Sequence, residues 1–411
     1  MRIWVVRDCE PIPTDPGRRR LMRIGQLCQT LAARGHDVTW ITSTFEHYEK
    51  RRRAGTRRTD VIAPNYRIEL LPGPGYPRNI SLARVIHNRR FAAAFEAFAE
   101  GAEPKPDVIV SDIPTTESAA AAVRIGNRLG VPSVLSIRDL WPDFFANHLP
   151  AALRPFAAPL LWPLRRQARF ACRNADAIVG ISQAYLDWGL RKAGRKAGPQ
   201  DAVVPLGYAP HTVPAREADR LLEGLGVDRS RHIVSFLGTW GATSDLVTVA
   251  EAAELLKARG DILFVVAGKA EADHPALPAL SALPNVALPG WLDPDRGAAL
   301  LEHSSVGISP YRDDAPQGLP NKLFAYMAHG TFQITTLGGE AAALLERNGL
   351  GANVPAADAK AMADAILKAI DSGEAERARP GIAAYFAEHF SHDRVFGRLC
   401  EIVETTKRIR N

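Results

Sequence analysis

The feature that most limits the fold of this chain is an alternation of short apolar runs with amphipathic helical stretches from one end to the other. That rhythm argues for βαβ units and parallel sheets. In the first half it predicts strands at Arg2–Val6, Asp37–Thr42, Arg67–Leu71, Asp107–Ser111, Ser133–Ile137, Ala177–Ile181 and Ala202–Pro205. In the second half it predicts them at Ile233–Leu237, Ile262–Ala267, Asn285–Leu288, Ser305–Ser309, Thr331–Thr336 and Gly351–Val354. Leu21, Ile24, Leu27, Cys28 and Leu31 make one helical stripe, which Gly35 ends. An Ala-rich stretch over 119–129 makes another, and a last helix runs from about His392 to Arg408.

With 411 residues the chain has room for two or three domains. The boundary is expected near Gly207–Pro214, where the charge balance also changes sign. Residues 1–207 hold 31 basic and 19 acidic side chains, a net of +12, and the remainder carries a net of −6. A basic half beside an acidic one points to a polyanionic surface or substrate for the first half only. Nucleic acid as that partner leaves the second half unexplained. The four cysteines are scattered, with no C-x-x-C pair, which suggests neither a disulfide framework nor a zinc site. No His pattern of the metalloprotease or deaminase kind occurs, so no metal is expected. The first residues enter a strand without a signal-like apolar stretch, and no run approaches the roughly 20 apolar residues that span a bilayer. The expectation is a soluble or peripheral protein.

The densest chemical signal lies between Ser309 and Thr336. A strand end leads into a loop holding Gly318, Leu319 and Pro320. A helix then starts at Asn321 and is stopped by Gly330. Such a loop exposes unpaired N–H groups and the positive end of a helix dipole, and Lys322 adds a full charge. A phosphate or a sugar hydroxyl suits that arrangement. F-L-G-T-W-G (236–241) is a second candidate, in which Gly238 lets the backbone, with Thr239, approach a pyrophosphate. Leu288 and Trp291 either hold a base or pack in the core. Glu340 either caps its own helix or faces a ligand. In I-R-D-L-W-P-D (137–143), Arg138 either clamps a phosphate or braces a loop with Asp139, which otherwise serves as base to an acceptor hydroxyl. Gly17, beside Arg18, Arg19 and Arg20, is either a phosphate-approach loop or a solvated basic turn. The 151–173 segment has an apolar front around Phe156, Leu161 and Trp162 and a basic rear of Arg165, Arg166, Arg169 and Arg173. It suits an anionic membrane surface, with a capping helix as the alternative.

P-N-K-L-F-A-Y-M-A-H-G (320–330) resembles the nucleotide-sugar signature of family-4 retaining glycosyltransferases of the GT-B fold. R-G-H-D-V-T-W-I-T (34–42), N-A-D-A-I-V-G-I-S (174–182), V-V-P-L-G-Y (203–208) and L-P-N-V-A-L-P-G-W-L (283–292) are similar to other family segments, in the family's order. Arg-Asp-Leu-Trp-Pro at 138–142 resembles the branch of O-antigen and capsule amino-sugar transferases. The resemblance implies two doubly wound, parallel-sheet, Rossmann-like domains facing across a cleft: an acceptor domain over 1–207 and a nucleotide-sugar domain over 208–390. A C-terminal helix, 391–411, would return to the first domain. It further implies that Gly17, Gly238, Thr239, Leu288, Trp291, Arg312, Gln317, Gly318, Leu319, Pro320, Asn321 and Lys322 surround the donor, and that Arg138 and Asp139 serve catalysis without a metal or cofactor.

The implied reaction is transfer, with retention, from a nucleotide sugar such as a UDP-hexose or UDP-amino sugar. The implied acceptor is polyprenyl-diphosphate-linked or another lipid-linked glycan, at the cytoplasmic face of the membrane. In the family the donor's own phosphate assists attack on the face from which it departs. One departure matters. The family carries a Glu-x7-Glu pair here, and this chain has Gln317 and Ala325 instead. Gln317 keeps hydrogen-bonding capacity, whereas Ala325 has lost the ribose contact. A pseudo-enzyme or partner subunit that keeps the fold is therefore the alternative.

Overall fold

The computed structural model describes residues 1–17, 21–143, 156–241, 243–270, 273–315 and 318–408. Arg18, Arg19, Arg20, Gln317 and the 151–155 part of the basic segment lie outside them. The chain divides into two compact units: Met1–Leu206 together with Val395–Asn411, and Gly207–Arg394.

Unit 1 opens with β1 (Arg2–Val6), α1 (Arg23–Ala33) and β2 (Asp37–Ser43). A small hairpin follows, β3 (Phe45–Glu46) and β4 (Arg51–Arg52), then β5 (Arg58–Ala63), β6 (Tyr66–Leu71) and α2 (Leu82–Gly101). Next come β7 (Val108–Ile113), α3 (Thr116–Leu129), β8 (Ser133–Ile137), α4 (Ala157–Asn174), β9 (Ala177–Gly180), α5 (Gln183–Ala193) and β10 (Ala202–Val203). Eight of the strands form one sheet in the order β10-β9-β8-β7-β1-β2-β6-β5. All neighbours run parallel except the edge pair β5 and β6. The apolar runs read as strands because burial on both faces leaves them nothing else to do: Ile3, Val5, Val108, Val110 and Val134 are all sealed from solvent.

Unit 2 contains α6 (Ala215–Glu223), β11 (His232–Leu237), α7 (Leu246–Leu255), β12 (Ile262–Ala267), α8 (Leu277–Ser281), β13 (Val286–Ala287) and α9 (Pro294–His303). It continues through β14 (Ser304–Ser309), α10 (Asn321–Ala328), β15 (Phe332–Thr335), α11 (Gly339–Arg347), β16 (Gly351–Asn353), α12 (Ala359–Asp371) and α13 (Glu374–His389). Its six strands are all parallel, in the order β13-β12-β11-β14-β15-β16. Chain direction across the sheet reverses between β11 and β14, and the loops leaving such a switch point are where open sheets bind ligands.

The final helix, α14 (His392–Thr405), contributes Val395, Phe396, Leu399, Cys400 and Val403 to the core that also holds Ile24, Leu27, Leu31 and Trp40 of unit 1. Glu404 adds an ion pair to Arg34 at 2.7 Å and a hydrogen bond with His36 at 2.8 Å. All four cysteines are free and buried. Among the described residues no helix is long and apolar enough to cross a membrane.

Three strands escaped the sequence reading. β3 and β4 have two residues each, too few for any period. β5, R-T-D-V-I-A, is a half-solvated edge whose Arg and Asp hide its alternation. β7 runs two residues past its expected end because Asp112, which reads as a loop residue, is buried between two arginines.

Candidate functional site

In unit 2 the loops leaving β11 and β14 meet the N-terminus of α10. Pro320 precedes this helix and fixes the entry without supplying a side-chain cap, so the first N–H groups have no side-chain acceptor. Tyr326, on the inner side of the helix, shares its single hydroxyl proton between Ser235 O at 3.0 Å and Ile308 O at 3.1 Å, and accepts from Leu237 N at 3.3 Å. Its ring lies so close to Gly307 that a Cβ there would come within 2.5 Å of it. These contacts fix α10 against both switch-point strands.

Lys322, in the first turn, is directed into that corner. Its Nζ stands 3.8 Å from the centre of the Phe236 ring and 5.3 Å from that of Tyr311. A Cβ on Gly238 would lie 3.5 Å from the same Nζ. No carboxylate pairs with it among the described residues. Burial alone pushes its ammonium down to about 7, because low-polarity surroundings disfavour the charged form. Among the described residues this half-buried cation has no counter-ion, and no side chain caps the helix start beside it. An anion would satisfy both.

The backbone around it is tight. Gly268, with φ of 146°, lies where a Cβ would meet Gly238 O at 1.8 Å. Gly238 donates to Ala267 O at 3.1 Å and Gly268 to Gly290 O at 2.8 Å, tying the ends of β11, β12 and β13 together. Thr239 is exposed beside them. Leu288 is half-buried, but Trp291 is 70% exposed, which rules out the core reading for that ring. Arg312 lies out in solvent beside Asp314 at 3.3 Å, with its N–H bonded to Thr243 O at 3.0 Å. Gly318, Leu319 and Pro320 form the half-buried approach to α10, and Asn321 is exposed at its first position. Glu340 is not the cap of its helix, since Gly338 occupies that position and Glu340 falls in the first turn of α11. Ala325 lies one turn beyond Lys322 and is half-buried.

Unit 1 places Arg138 and Asp139 just past β8. Arg138 binds Glu10 and, at 2.8 Å, Asp112, while Arg7 holds the other oxygen of Asp112 at 3.0 Å. Burial pushes the Glu10 carboxyl up, but Arg138 and Arg7 outweigh it and leave it below its ordinary value. For Asp112 burial prevails and the net shift is upward. Arg138 is thus committed to two buried acids and braces the ends of β1, β7 and β8. Asp139 is half-buried and accepts from Leu140 N at 2.7 Å, with burial raising its carboxyl. Gly17, with φ of 82°, is exposed at the end of the β1 loop. Nearby, both oxygens of Asp8 are sealed from solvent without a hydrogen-bond partner, facing His87 Nε2 at 3.8 Å. Sequence reasoning missed Asp8 because nothing beside it in the chain reveals the helix that covers it. Among the described residues no cluster of His, Cys, Asp and Glu could hold a metal.

Two family comparisons cover the chain in tandem. Residues 22–207 match the Glycosyl transferase 4-like domain, and residues 231–372 match Glycosyl transferases group 1. Both halves of the chain thus match glycosyltransferase domains, and the fold is that of the GT-B glycosyltransferases. Solved GT-B structures agree in fold. Anabaena HepE, crystallised with UDP, superposes with a TM-score of 0.68 at 15% identity over 98% of this chain and 100% of that one. Sucrose-phosphate synthase from Thermosynechococcus elongatus gives 0.67 at 16% identity over 98% of each chain. WaaG, a glycosyltransferase involved in lipopolysaccharide biosynthesis, gives 0.64 at 13% identity over 98% of this chain and 100% of its own. Curated protein sequences give no significant match. In this glycosyltransferase, then, the unpaired Lys322 corner lies in the group 1 domain and the Arg138 cluster in the 4-like domain.

Proposed function

We propose that unit 2 binds a nucleotide-sugar donor, a UDP-hexose or UDP-amino sugar, and that the sugar passes with retention to a lipid-linked glycan acceptor held by unit 1. Lys322 carries the reading. A cation kept half-buried without a counter-ion destabilises the free protein, and a diphosphate beside it restores its charge. The α10 N-terminus supplies donors that do not need to reorganise as negative charge grows on the leaving diphosphate, and the Gly238 turn lets the backbone come close. That HepE was crystallised with UDP and with UDP-glucose supports UDP as the nucleotide. Asp139, half-buried with one oxygen not engaged by Leu140, is the side chain we assign to the acceptor hydroxyl. Arg138, bound to Glu10 and Asp112, braces the end of β8 that carries it rather than touching phosphate. Placement on an anionic membrane, in assembly of a surface polysaccharide such as lipopolysaccharide, is supported by α4: Leu160 and Trp162 are 60% and 59% exposed, and Arg166, Arg169 and Arg173 lie on its exposed side.

The test is a thermal-shift series with UDP, UDP-hexoses and UDP-amino sugars, since a ligand that binds only the native state raises apparent stability. A rise with one of them in the wild type, lost in Lys322→Ala, is the expected result. No shift with any uridine nucleotide would overturn the assignment of the donor. Ala325 favours one rival, a catalytically silent partner subunit. Donor turnover by the purified protein separates the two.

A further inference from the structure

One corner of unit 1 gathers three cations that form no ion pair among the described residues. The β3–β4 hairpin follows β2, and the 72–81 loop follows β6, so both stand at the carboxyl edge of the parallel sheet. Lys50, at the hairpin turn, has φ of 56°, a left-handed conformation that costs a lysine energy. Its Nζ lies 4.8 Å from the centre of the Tyr76 ring and donates to Asn79 Oδ1 at 2.5 Å and to His47 O. Arg84, on the inner side of α2, approaches the same Tyr76 ring at 5.4 Å and the Trp141 ring at 4.6 Å. It donates to Asn79 O at 3.0 Å, and its Nε is buried without an acceptor. Arg52 reaches the same loop, donating to Pro74 O at 3.0 Å.

Three acids of the hairpin region are engaged by other arginines, while Glu46, buried in β3, accepts from the backbone of Tyr48 and Glu49 and keeps its charge near Lys50. Asp15 is held by Arg53, Glu49 by Arg51 and Asp60 by Arg58. Lys50, Arg52 and Arg84 form no ion pair among the described residues. Their mutual repulsion is felt locally: burial first, then Arg84, holds the Lys50 ammonium below its ordinary value. Burial, Lys50 and Arg84 together press His47, bonded to the Tyr76 hydroxyl, down to about 4. The protein thus spends backbone strain and ring stacking on fixing cations beside one another.

We propose that Lys50, Arg52 and Arg84, framed by Tyr76 and Asn79, form a phosphate site that takes the phosphoester or diphosphate group of the acceptor. The proposal rests on the reading of unit 1 as the acceptor half. Several fixed cations around one small area match a dianion better than a single carboxylate, and guanidinium forks suit phosphate oxygens. The group reaches the site either on a lipid or on a free phosphoester.

The experiment measures binding of inorganic pyrophosphate by calorimetry to the full-length protein carrying Lys322→Ala, so that the donor corner does not contribute. Saturable binding is expected, weakened at least about tenfold by Lys50→Gly and by Arg52→Gln. Glycine relaxes the left-handed backbone at position 50, so Lys50→Gly should keep or raise the melting temperature while it loses the anion. Unchanged pyrophosphate affinity in both variants, or no binding at all, overturns the site. In a second arm, Lys50→Gly in the otherwise wild-type chain should leave UDP affinity untouched. Failure of UDP to bind would sink the donor reading without touching the pyrophosphate result. A third arm offers neutral vesicles with and without a polyprenyl diphosphate. Binding that depends on both the diphosphate lipid and Lys50 assigns the group to a lipid, whereas binding of soluble pyrophosphate alone assigns it to a free phosphoester.

Discussion

Lys322 sets the balance between stability and binding at the residue scale. Its ammonium is pushed down to about 7 in the folded protein, below the ordinary lysine value. Between those two values the unfolded chain binds more protons, so this group's contribution to stability improves as pH rises through the window and is least favourable below about 7. Lys322→Met should therefore raise the melting temperature at pH 6, by an amount that shrinks towards pH 10. The same substitution should weaken UDP binding by roughly 1.5–3 kcal/mol, about ten- to a hundredfold. Wild-type UDP affinity should fall as pH rises above about 7, since the diphosphate prefers the protonated amine. Calorimetry across pH 6–9 checks both signs. Ala325→Glu places a carboxylate one turn along α10 from Lys322, on the same side of the helix. If the nucleotide lies as in the family, the change restores a ribose contact and tightens uridine binding. Weaker binding would show the new carboxylate neutralising Lys322 instead. The sequence exposed Lys322 because its loop, helix start and charge are contiguous. It could not expose Asp8 or Arg84, whose surroundings come from segments far apart in the chain.

Strand positions were legible at the element scale wherever burial is complete. Arg2–Val6, Ser133–Ile137 and Ile262–Ala267 have the bounds their apolar runs predicted. The edges were not, because an edge strand answers to solvent as much as to the core. Helix α4 repeats this at larger size. Leu161, Ala168, Ala171 and Cys172 are buried, while Trp162, Arg166, Arg169 and Arg173 are exposed. Arg165, counted with the basic face in the sequence, is instead engaged by Asp143 at 3.1 Å. Replacement of Arg166, Arg169 and Arg173 together should sharply reduce co-sedimentation with anionic vesicles at low salt, at about 1 kcal/mol per charge. Trp162→Ala should remove a smaller part that salt does not screen. Equal recovery with neutral and anionic vesicles would return α4 to a plain covering helix.

On the scale of the whole molecule, the parallel order of both sheets follows from the alternation of apolar runs and helices. The role of α14 does not, since its apolar stripe would fit either unit. Phe396 is fully buried among unit 1 side chains, so Phe396→Ala should cost about 3–5 kcal/mol, read as a shift in the denaturant midpoint of unit 1. That dependence also has a meaning in time. Translation finishes the strands of unit 1 first, then makes all of unit 2, and only afterwards delivers the helix that completes the earlier core. A nascent chain arrested after Arg394 should therefore yield a protease-resistant 207–394 fragment while residues 1–206 are cleaved. If both portions resist, the early half closes without its last helix. Otherwise translation itself holds half the molecule open, a client for chaperones until α14 arrives.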